Sequence, residues 1–140
     1  MIPNPGEFDA IIDRALAEDA VGSDVTSLSL FSASVEAKAS IVVKQSGILA
    51  GLHIAAAVFN RVNPDLKFVH RLQDGDRLTT GQSLATVSGS IASILSGERT
   101  ALNFLQRMSG IATLTDLYVS AIAGTTASIA DTRKTVPGLR

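Results

Sequence analysis

The sequence GERTALNFLQR, residues 97–107, carries two stripes of side chains at helical spacing. One stripe is polar and consists of Arg99, Asn103 and Arg107; the other is apolar and consists of Leu102, Leu105, Met108 and Ala112. Side chains three and four positions apart share a helix face, so we predict a helix over about 91–108, started by Ser90 and broken at Ser109-Gly110. The polar stripe either binds a ligand or forms an ordinary solvated face.

The rest of the chain alternates helical and extended patterns around this helix. Apolar residues three and four apart predict further helices over 8–16, 52–62 and 111–123. Alternating or short apolar runs bounded by turn residues predict strands over 36–44, 67–72, 84–89 and 127–131. This order predicts an α+β (α/β) fold. The last strand has no helix after it to cover it, so a βα unit is opened there and left unfinished.

Composition excludes several classes of protein. The 140 residues are 46% hydrophobic and 18% charged, which is too apolar for a disordered chain. The net charge of -1 excludes the bulk positive charge of nonspecific nucleic-acid binders, and the lack of cysteine excludes disulfide scaffolds and thiolate sites. We find no signal-peptide pattern at the start and no apolar run near the roughly 20 residues of a membrane span. We therefore expect a cytoplasmic protein with neither nucleic acid nor membrane as a partner.

Charge is distributed unevenly along the chain. Residues 1–30 hold six acids and one base, whereas residues 99–140 hold five bases and two acids. Near the end, Asp131-Thr132-Arg133-Lys134-Thr135 places two cations and two hydroxyls after the predicted strand. A guanidinium can bind a carboxylate through paired hydrogen bonds, and an ammonium can act as a point charge on a phosphate. The cluster therefore suits an anionic ligand, although ordinary surface variation and a solvated loop explain the same pattern.

Other candidate motifs are weak. His53 and His70 have no partner at metal-ligand spacing, so we predict structural roles for both. The close carboxylates Glu18-Asp19 and Asp74/Asp76 fall at a helix end and in a turn, and we assign neither pair to catalysis. The sequence contains no Gly-x-Ser-x-Gly elbow, Gly-x-Gly-x-x-Gly fingerprint or Walker loop.

Residues 74–87 resemble the half-repeat of biotinyl and lipoyl carrier domains. An acidic-Gly-Asp turn there precedes a Gly-Gln turn and a strand. Carriers present a modifiable lysine at a hairpin tip, but the lysines of this chain are Lys38, Lys44, Lys67 and Lys134. Since none of them falls in a hairpin after Val87, the likeness extends to sheet geometry and not to carrier function.

Four stretches together resemble the nicotinate-nucleotide pyrophosphorylase (carboxylating) family, also called quinolinate phosphoribosyltransferase. They cover nearly the whole chain in the family's order, and the last two are long and specific. The stretches are residues 15–19 with 24–26, residues 47–51, residues 97–106 with 109–113, and residues 131–135 with 137–140.

The resemblance implies a fold and a domain organisation. It implies a hammerhead-like N-terminal α/β domain over residues 1–110, with a small antiparallel sheet and helices. Residues 111–140 would then hold the first helix and strand of an α/β barrel that is truncated here. The family resemblance also implies a homodimer with a shared active site.

The resemblance implies a reaction and its binding residues. The family transfers the phosphoribosyl group of phosphoribosyl pyrophosphate (PRPP) to quinolinate, with loss of CO2, and so serves NAD biosynthesis. Arg99 would reach from one subunit into the partner's site and bind quinolinate. Thr132, Arg133 and Lys134 would form the substrate-binding strand end, with Arg133 on a carboxylate and Lys134 near the carboxylate and phosphoribosyl groups. Mg²⁺ is implied, with ligands in the missing barrel, and no residue is identified as a dedicated general base.

We expect the 140-residue chain alone to be inactive, because it would hold at most half of a site. Two alternatives stay open at this point. One is the related phosphoribosyltransferase homologue found with molybdate transporters, against which Glu98-Arg99-Thr100 argues. The other is a noncatalytic binding or carrier module that reuses the hammerhead sheet.

Overall fold

The elements of the chain follow the predicted order closely. The structure is a computed structural model that describes residues 8–19 and 35–136. Within that part, the helices are α1 (Asp9–Glu18), α2 (Leu52–Val62) and α3 (Ile91–Ala121), and the strands are β1 (Glu36–Val42), β2 (Gly47–Ile48), β3 (Lys67–His70), β4 (Arg77–Leu78) and β5 (Ser83–Ser90). The predicted helices over 8–16 and 52–62 and the predicted strands over 36–44, 67–72 and 84–89 are confirmed. The motif residues 24–26 and 137–140 lie outside the described residues.

Two small antiparallel sheets form the β layer. The larger sheet has the strand order β1-β5-β3, and the smaller one pairs β2 with β4. Val87 at the centre of β5 faces Ala39 of β1 and Phe68 of β3 in the register. β1 alternates exposed and half-buried residues along its length, as expected for a strand with one face toward the core. The described residues thus have the mixed α/β fold that the sequence predicts.

The core lies between the sheets and the two helices α2 and α3. α2 buries Ile54, Val58 and Phe59, and the first half of α3 buries Ile94 and Leu105. The two helices approach closely at Gly97, where a Cβ atom would lie 3.0 Å from Cδ1 of Phe59. Glycine at this position therefore permits the close packing of α3 on α2 that orients the rest of α3.

α3 continues past the position where the sequence predicts a break. It begins as predicted after Ser90, whose side chain accepts a hydrogen bond from Ser93 N, and runs without interruption through Ser109 and Gly110 to Ala121. The predicted break between a helix over 91–108 and another over 111–123 is therefore wrong. Gly costs a helix about 1 kcal/mol relative to Ala, which tertiary contacts override. Such contacts are present, because Ser109 Oγ bonds both the N–H and the carbonyl of Ala50.

The predicted strand over 127–131 is also absent from the described residues. Residues 126–136 form neither helix nor strand, and their side chains are exposed. Ile129, the central apolar residue of the predicted strand, is 45% exposed. A strand needs a hydrogen-bonded neighbour, and no strand of the described part lies beside this segment. The alternating pattern alone therefore does not determine its conformation.

No helix in residues 8–19 and 35–136 has the length and apolar character needed to cross a bilayer.

An ion pair joins α1 to α2 on the surface. Arg61 Nε donates to Asp13 Oδ1 at 2.6 Å, and this hydrogen bond, with the attraction of the guanidinium charge, lowers the pKa of Asp13. A carboxyl group whose pKa is lowered by folding stabilises the folded state above its unfolded pKa. That stabilisation disappears as the pH falls through the folded pKa.

We expect Asp13→Asn to lower the Tm near neutral pH slightly, because exposed ion pairs contribute little. The difference in Tm between the variant and the unmodified chain should shrink on acidification through the lowered pKa of Asp13. Calorimetric scans between about pH 7 and about pH 2.5 would measure this difference. A difference that stays constant over the whole range would contradict the assignment of the ion pair.

Candidate functional site

The polar stripe of α3 lines a cleft. The cleft has a volume of about 360 Å³ and lies between the end of α1 and the first half of α3. Arg99, Asn103 and Arg107 all line it, and they face Ala15, Glu18 and Asp19. The three polar residues therefore share one helix face as predicted, and that face borders a concave space with two guanidinium groups. Glu18 and Asp19 balance the two guanidinium charges, so an anionic ligand would be bound there through guanidinium N–H donors rather than by a net positive charge.

An ion pair fixes one side of this cleft. Arg99 Nη1 donates to Asp19 Oδ1 at 2.6 Å. The Arg99 side chain is 75% exposed, whereas the Asp19 side chain is 19% exposed. Asp19 is the C-cap of α1, and its backbone N–H bonds the carbonyls of Ala15 and Ala17. The sequence analysis missed this contact, because the partners are 80 positions apart and no local pattern joins them.

The second cationic cluster lies elsewhere in the described chain. Thr132, Arg133 and Lys134 belong to the exposed segment after α3, and Lys134 N donates to Thr132 Oγ1 at 3.3 Å. Because residues 127–131 form no strand, the predicted placement of this cluster at a strand end is wrong for the described structure. None of the three residues is among those that line the Arg99 cleft. A single chain thus does not gather all four predicted binding residues around that cleft.

A larger cavity beside α3 is mostly apolar. It measures about 660 Å³ and lies between α3 and the segment from β1 to β2. Leu49, Leu102, Leu105 and Leu114 are among its lining residues, and Lys44 is the one charged residue among those that line it in the described part of the chain. The smaller Arg99 cleft presents two guanidinium groups, and a guanidinium can donate paired hydrogen bonds to a carboxylate or phosphate, so this cleft is the better candidate for an anionic ligand.

Two of the four motif stretches meet in a structural seam between β2 and α3. Ile48 N donates to Thr113 Oγ1 at 2.8 Å, and Ala50 N donates to Ser109 Oγ at 3.0 Å. The glycines permit this contact, since a Cβ on Gly47 would lie 2.5 Å from Thr113 Oγ1. Residues 47–51 and 109–113 therefore hold α3 against the small sheet, and these contacts give both stretches a structural role.

Asp74 and the histidines have structural partners. Asp74 accepts hydrogen bonds from Gly51 N at 3.1 Å and Leu52 N at 3.0 Å, which caps the start of α2. The same carboxylate contacts His53 Nδ1 at 3.0 Å, while His70 Nδ1 lies 3.1 Å from the carbonyl of Leu72. These contacts account for both histidines without a ligand.

The structure has no hairpin after residues 74–87 of the kind that a carrier domain uses to present its lysine. β5 continues through Val87 to Ser90 and leads directly into α3 at Ile91. No turn is therefore available after Val87 to present a modified lysine.

Within residues 8–19 and 35–136, no group of three or more His, Cys, Asp or Glu side chains could hold a metal ion.

The chain matches the profiles of two domains of one protein family. The family profile for the quinolinate phosphoribosyl transferase N-terminal domain matches residues 24–109, and the profile for the C-terminal domain matches residues 111–140. This chain belongs to the quinolinate phosphoribosyltransferase family. The family membership confirms the resemblance carried by the four motif stretches, including those that the structure assigns to packing.

Curated relatives and solved structures agree with this membership. The chain is 43% identical to the nicotinate-nucleotide pyrophosphorylase [carboxylating] of Mycobacterium leprae, over 96% of this chain and 49% of the relative. It is 44% identical to the chloroplastic enzyme of that name from Arabidopsis thaliana, over 96% of this chain and 38% of the relative. The crystal structure of NadC from Streptococcus pyogenes matches with a TM-score of 0.94 and 38% identity, over 99% of this chain and 50% of that one. The chain thus spans about half, or less, of the length of these family members.

Proposed function

We propose that this chain supplies part of the substrate site of an enzyme that transfers the phosphoribosyl group of PRPP to quinolinate. The products are nicotinate mononucleotide, pyrophosphate and CO2, as in NAD biosynthesis. The observation that carries the proposal is about 40% identity, across nearly all of this chain, to enzymes named nicotinate-nucleotide pyrophosphorylase [carboxylating] and quinolinate phosphoribosyltransferase [decarboxylating]. The cationic face of the cleft supports it, because both substrates are anions.

Arg99, Arg133 and Lys134 serve in binding and charge neutralisation under this proposal. Arg99 and Arg133 bind carboxylates of quinolinate, since a guanidinium can donate two parallel hydrogen bonds to a carboxylate. Lys134 lies between a carboxylate and the phosphoribosyl group, where a compact cation suits phosphate oxygens. Thr132 supplies a hydroxyl at the same place. These groups bring two anions together that would otherwise repel each other, which lowers the barrier to their reaction.

The chemical step needs little acid–base catalysis. A bond forms between the pyridine nitrogen and the anomeric carbon, while the bond from that carbon to pyrophosphate breaks with its electron pair on the leaving group. Positive charge develops on the ribose and is stabilised by the surrounding electrostatic field. The 2-carboxylate then leaves as CO2, and the ring carbon takes up a proton. We assign no residue of the described part as a general base.

The homodimer and the metal belong to the same proposal. A homodimer in which Arg99 of one protomer completes the site around residues 132–134 of the other is supported by the separation of the two clusters within one chain. Mg²⁺ dependence is proposed for the reaction, with its protein ligands outside the described residues.

A cytoplasmic location is proposed as well. Since some relatives are described as chloroplastic or mitochondrial, cell fractionation tests it directly.

The proposal is tested by assaying the gene product that carries this sequence with quinolinate, PRPP and Mg²⁺. We expect quinolinate-dependent release of CO2 and pyrophosphate in equal amounts, and no turnover by residues 1–140 purified alone. Failure of the gene product to bind quinolinate would contradict the proposal and favour a homologue with another substrate. Turnover by residues 1–140 alone would contradict the inference that half of the site lies elsewhere.

A further inference from the structure

We infer that Asp19 is a positioning residue for substrate binding, which holds the Arg99 guanidinium in the orientation that receives a carboxylate of quinolinate. The inference rests on the proposed function, in which Arg99 binds that substrate. It adds a residue of the N-terminal helix to a site otherwise built from α3 and the segment after it.

The geometry makes Asp19 the anchored member of the pair. Its side chain is 19% exposed, whereas Arg99 is 75% exposed and extends from α3 into the cleft. Asp19 stands at the end of α1, and that helix is held in place by the buried side chains of Ile12 and Leu16. The carboxylate at 2.6 Å from Nη1 is therefore a fixed point that orients a long and largely exposed arginine side chain.

Orientation matters here because arginine has a long side chain with many rotamers. An arginine side chain carries a large rotamer entropy, part of which a ligand must remove on binding. A carboxylate that already restricts the guanidinium removes part of that entropic cost before the substrate arrives. The contact is made through Nη1, and it leaves the guanidinium group cationic.

The surroundings of the pair favour positioning over simple neutralisation. Arg107 and Asn103 line the same cleft, so the cleft retains a second cation beside the paired one. Glu18 also lines the cleft, on the neighbouring position of α1. Two carboxylates and two guanidinium groups therefore line the cleft, and the 2.6 Å contact with Asp19 determines where the Arg99 guanidinium lies within it.

The test is steady-state kinetics of the gene product that carries this sequence, with Asp19→Asn, Asp19→Glu and the control Asp13→Asn. Asp13 is a matched control, because it is on the same helix and pairs with an arginine, Arg61, outside the cleft. We expect Asp19→Asn to raise the KM for quinolinate about 10-fold, while kcat and the KM for PRPP change less than about 2-fold. Asp19→Glu should restore part of the loss, and Asp13→Asn should leave all three constants unchanged.

A double-mutant cycle separates positioning from a structural role. In an Arg99→Ala background, Asp19→Asn should have no further effect on the KM for quinolinate, because the group it positions is gone. Three outcomes would overturn the inference. The first is an equal rise in the KM for quinolinate with and without Arg99. The others are a fall in kcat with equal rises in both KM values, and a lower KM for quinolinate in Asp19→Asn. If Arg99→Ala itself leaves quinolinate binding unchanged, the proposed role of Arg99 fails. If Arg99→Ala weakens binding and Asp19→Asn does not, the positioning role alone fails.

Discussion

Replacement of Arg99 with alanine should reduce kcat/KM for quinolinate about 100-fold or more in the gene product that carries this sequence. A hydrogen bond to a charged group contributes about 1.5–3 kcal/mol, and a guanidinium can donate two of them to one carboxylate. A loss of about 3 kcal/mol corresponds to a factor of more than 100 in the specificity constant. Steady-state assays that vary quinolinate at saturating PRPP would measure it.

The stability of the Arg99→Ala variant should change little, because the arginine is largely exposed and its ion pair lies at the surface. Arg71→Ala is the matched control, since Arg71 is also exposed and is not among the residues that line the cleft. The control should keep the full specificity constant. A 100-fold loss that accompanies partial unfolding, or an equal loss in Arg71→Ala, would contradict the binding role of Arg99.

Two glycine-to-alanine replacements should have opposite effects on stability. Gly47→Ala should lower the free energy of unfolding by about 3 kcal/mol. The new methyl group would lie 2.5 Å from Thr113 Oγ1, on a β-branched side chain that cannot rotate away freely inside α3. Moving Thr113 would also break the hydrogen bond from Ile48 N, which leaves a half-buried donor unsatisfied.

Gly110→Ala provides the matched comparison. A Cβ on Gly110 meets nothing within 4 Å, and the residue lies in the middle of α3. Alanine there should raise the free energy of unfolding by up to about 1 kcal/mol through helix propensity. Urea denaturation of both variants would measure the two changes. Destabilisation by both replacements to the same extent would refute the structural seam as we describe it.

Local elements of this fold could be predicted because their causes are local. The spacing of apolar residues predicted α1 and α2, and both helices lie where that spacing places them. Alternation gave β1, and the capping side chain of Ser90 marked the start of α3. The shared face of Arg99, Asn103 and Arg107 followed from helix geometry alone.

The errors and omissions arise from contacts between distant positions. Ser109-Gly110 suggested a break, but Ser109 bonds Ala50 across 59 positions and α3 continues. The ion pair of Asp19 with Arg99 depends on how α1 packs against α3, which periodicity does not specify. Residues 127–131 alternate like a strand yet have no neighbouring strand in the described part. For these features, tertiary contacts rather than local propensity decide the outcome.

The family motifs divide into two physical roles on this structure. Residues 47–51 and 109–113 join a sheet to a helix through hydrogen bonds and close glycine contacts. Arg99 lies at a cleft, and residues 132–134 lie on an exposed segment away from the cleft lining. The domain boundary near residue 110 and the roles of the four binding residues remain predictions, of which the experiments above address the role of Arg99.

Intersubunit complementation tests the central claim most directly, namely that Arg99 and the pair Arg133-Lys134 complete one quinolinate site across two protomers. Arg99→Ala and Lys134→Ala subunits of the gene product should each be nearly inactive alone. Random pairing makes half of the dimers mixed, and each mixed dimer has one of its two sites intact, so coexpression should restore about a quarter of the unmodified activity. Coexpressed subunits that show no more activity than the two variants assayed separately would contradict a site shared between protomers.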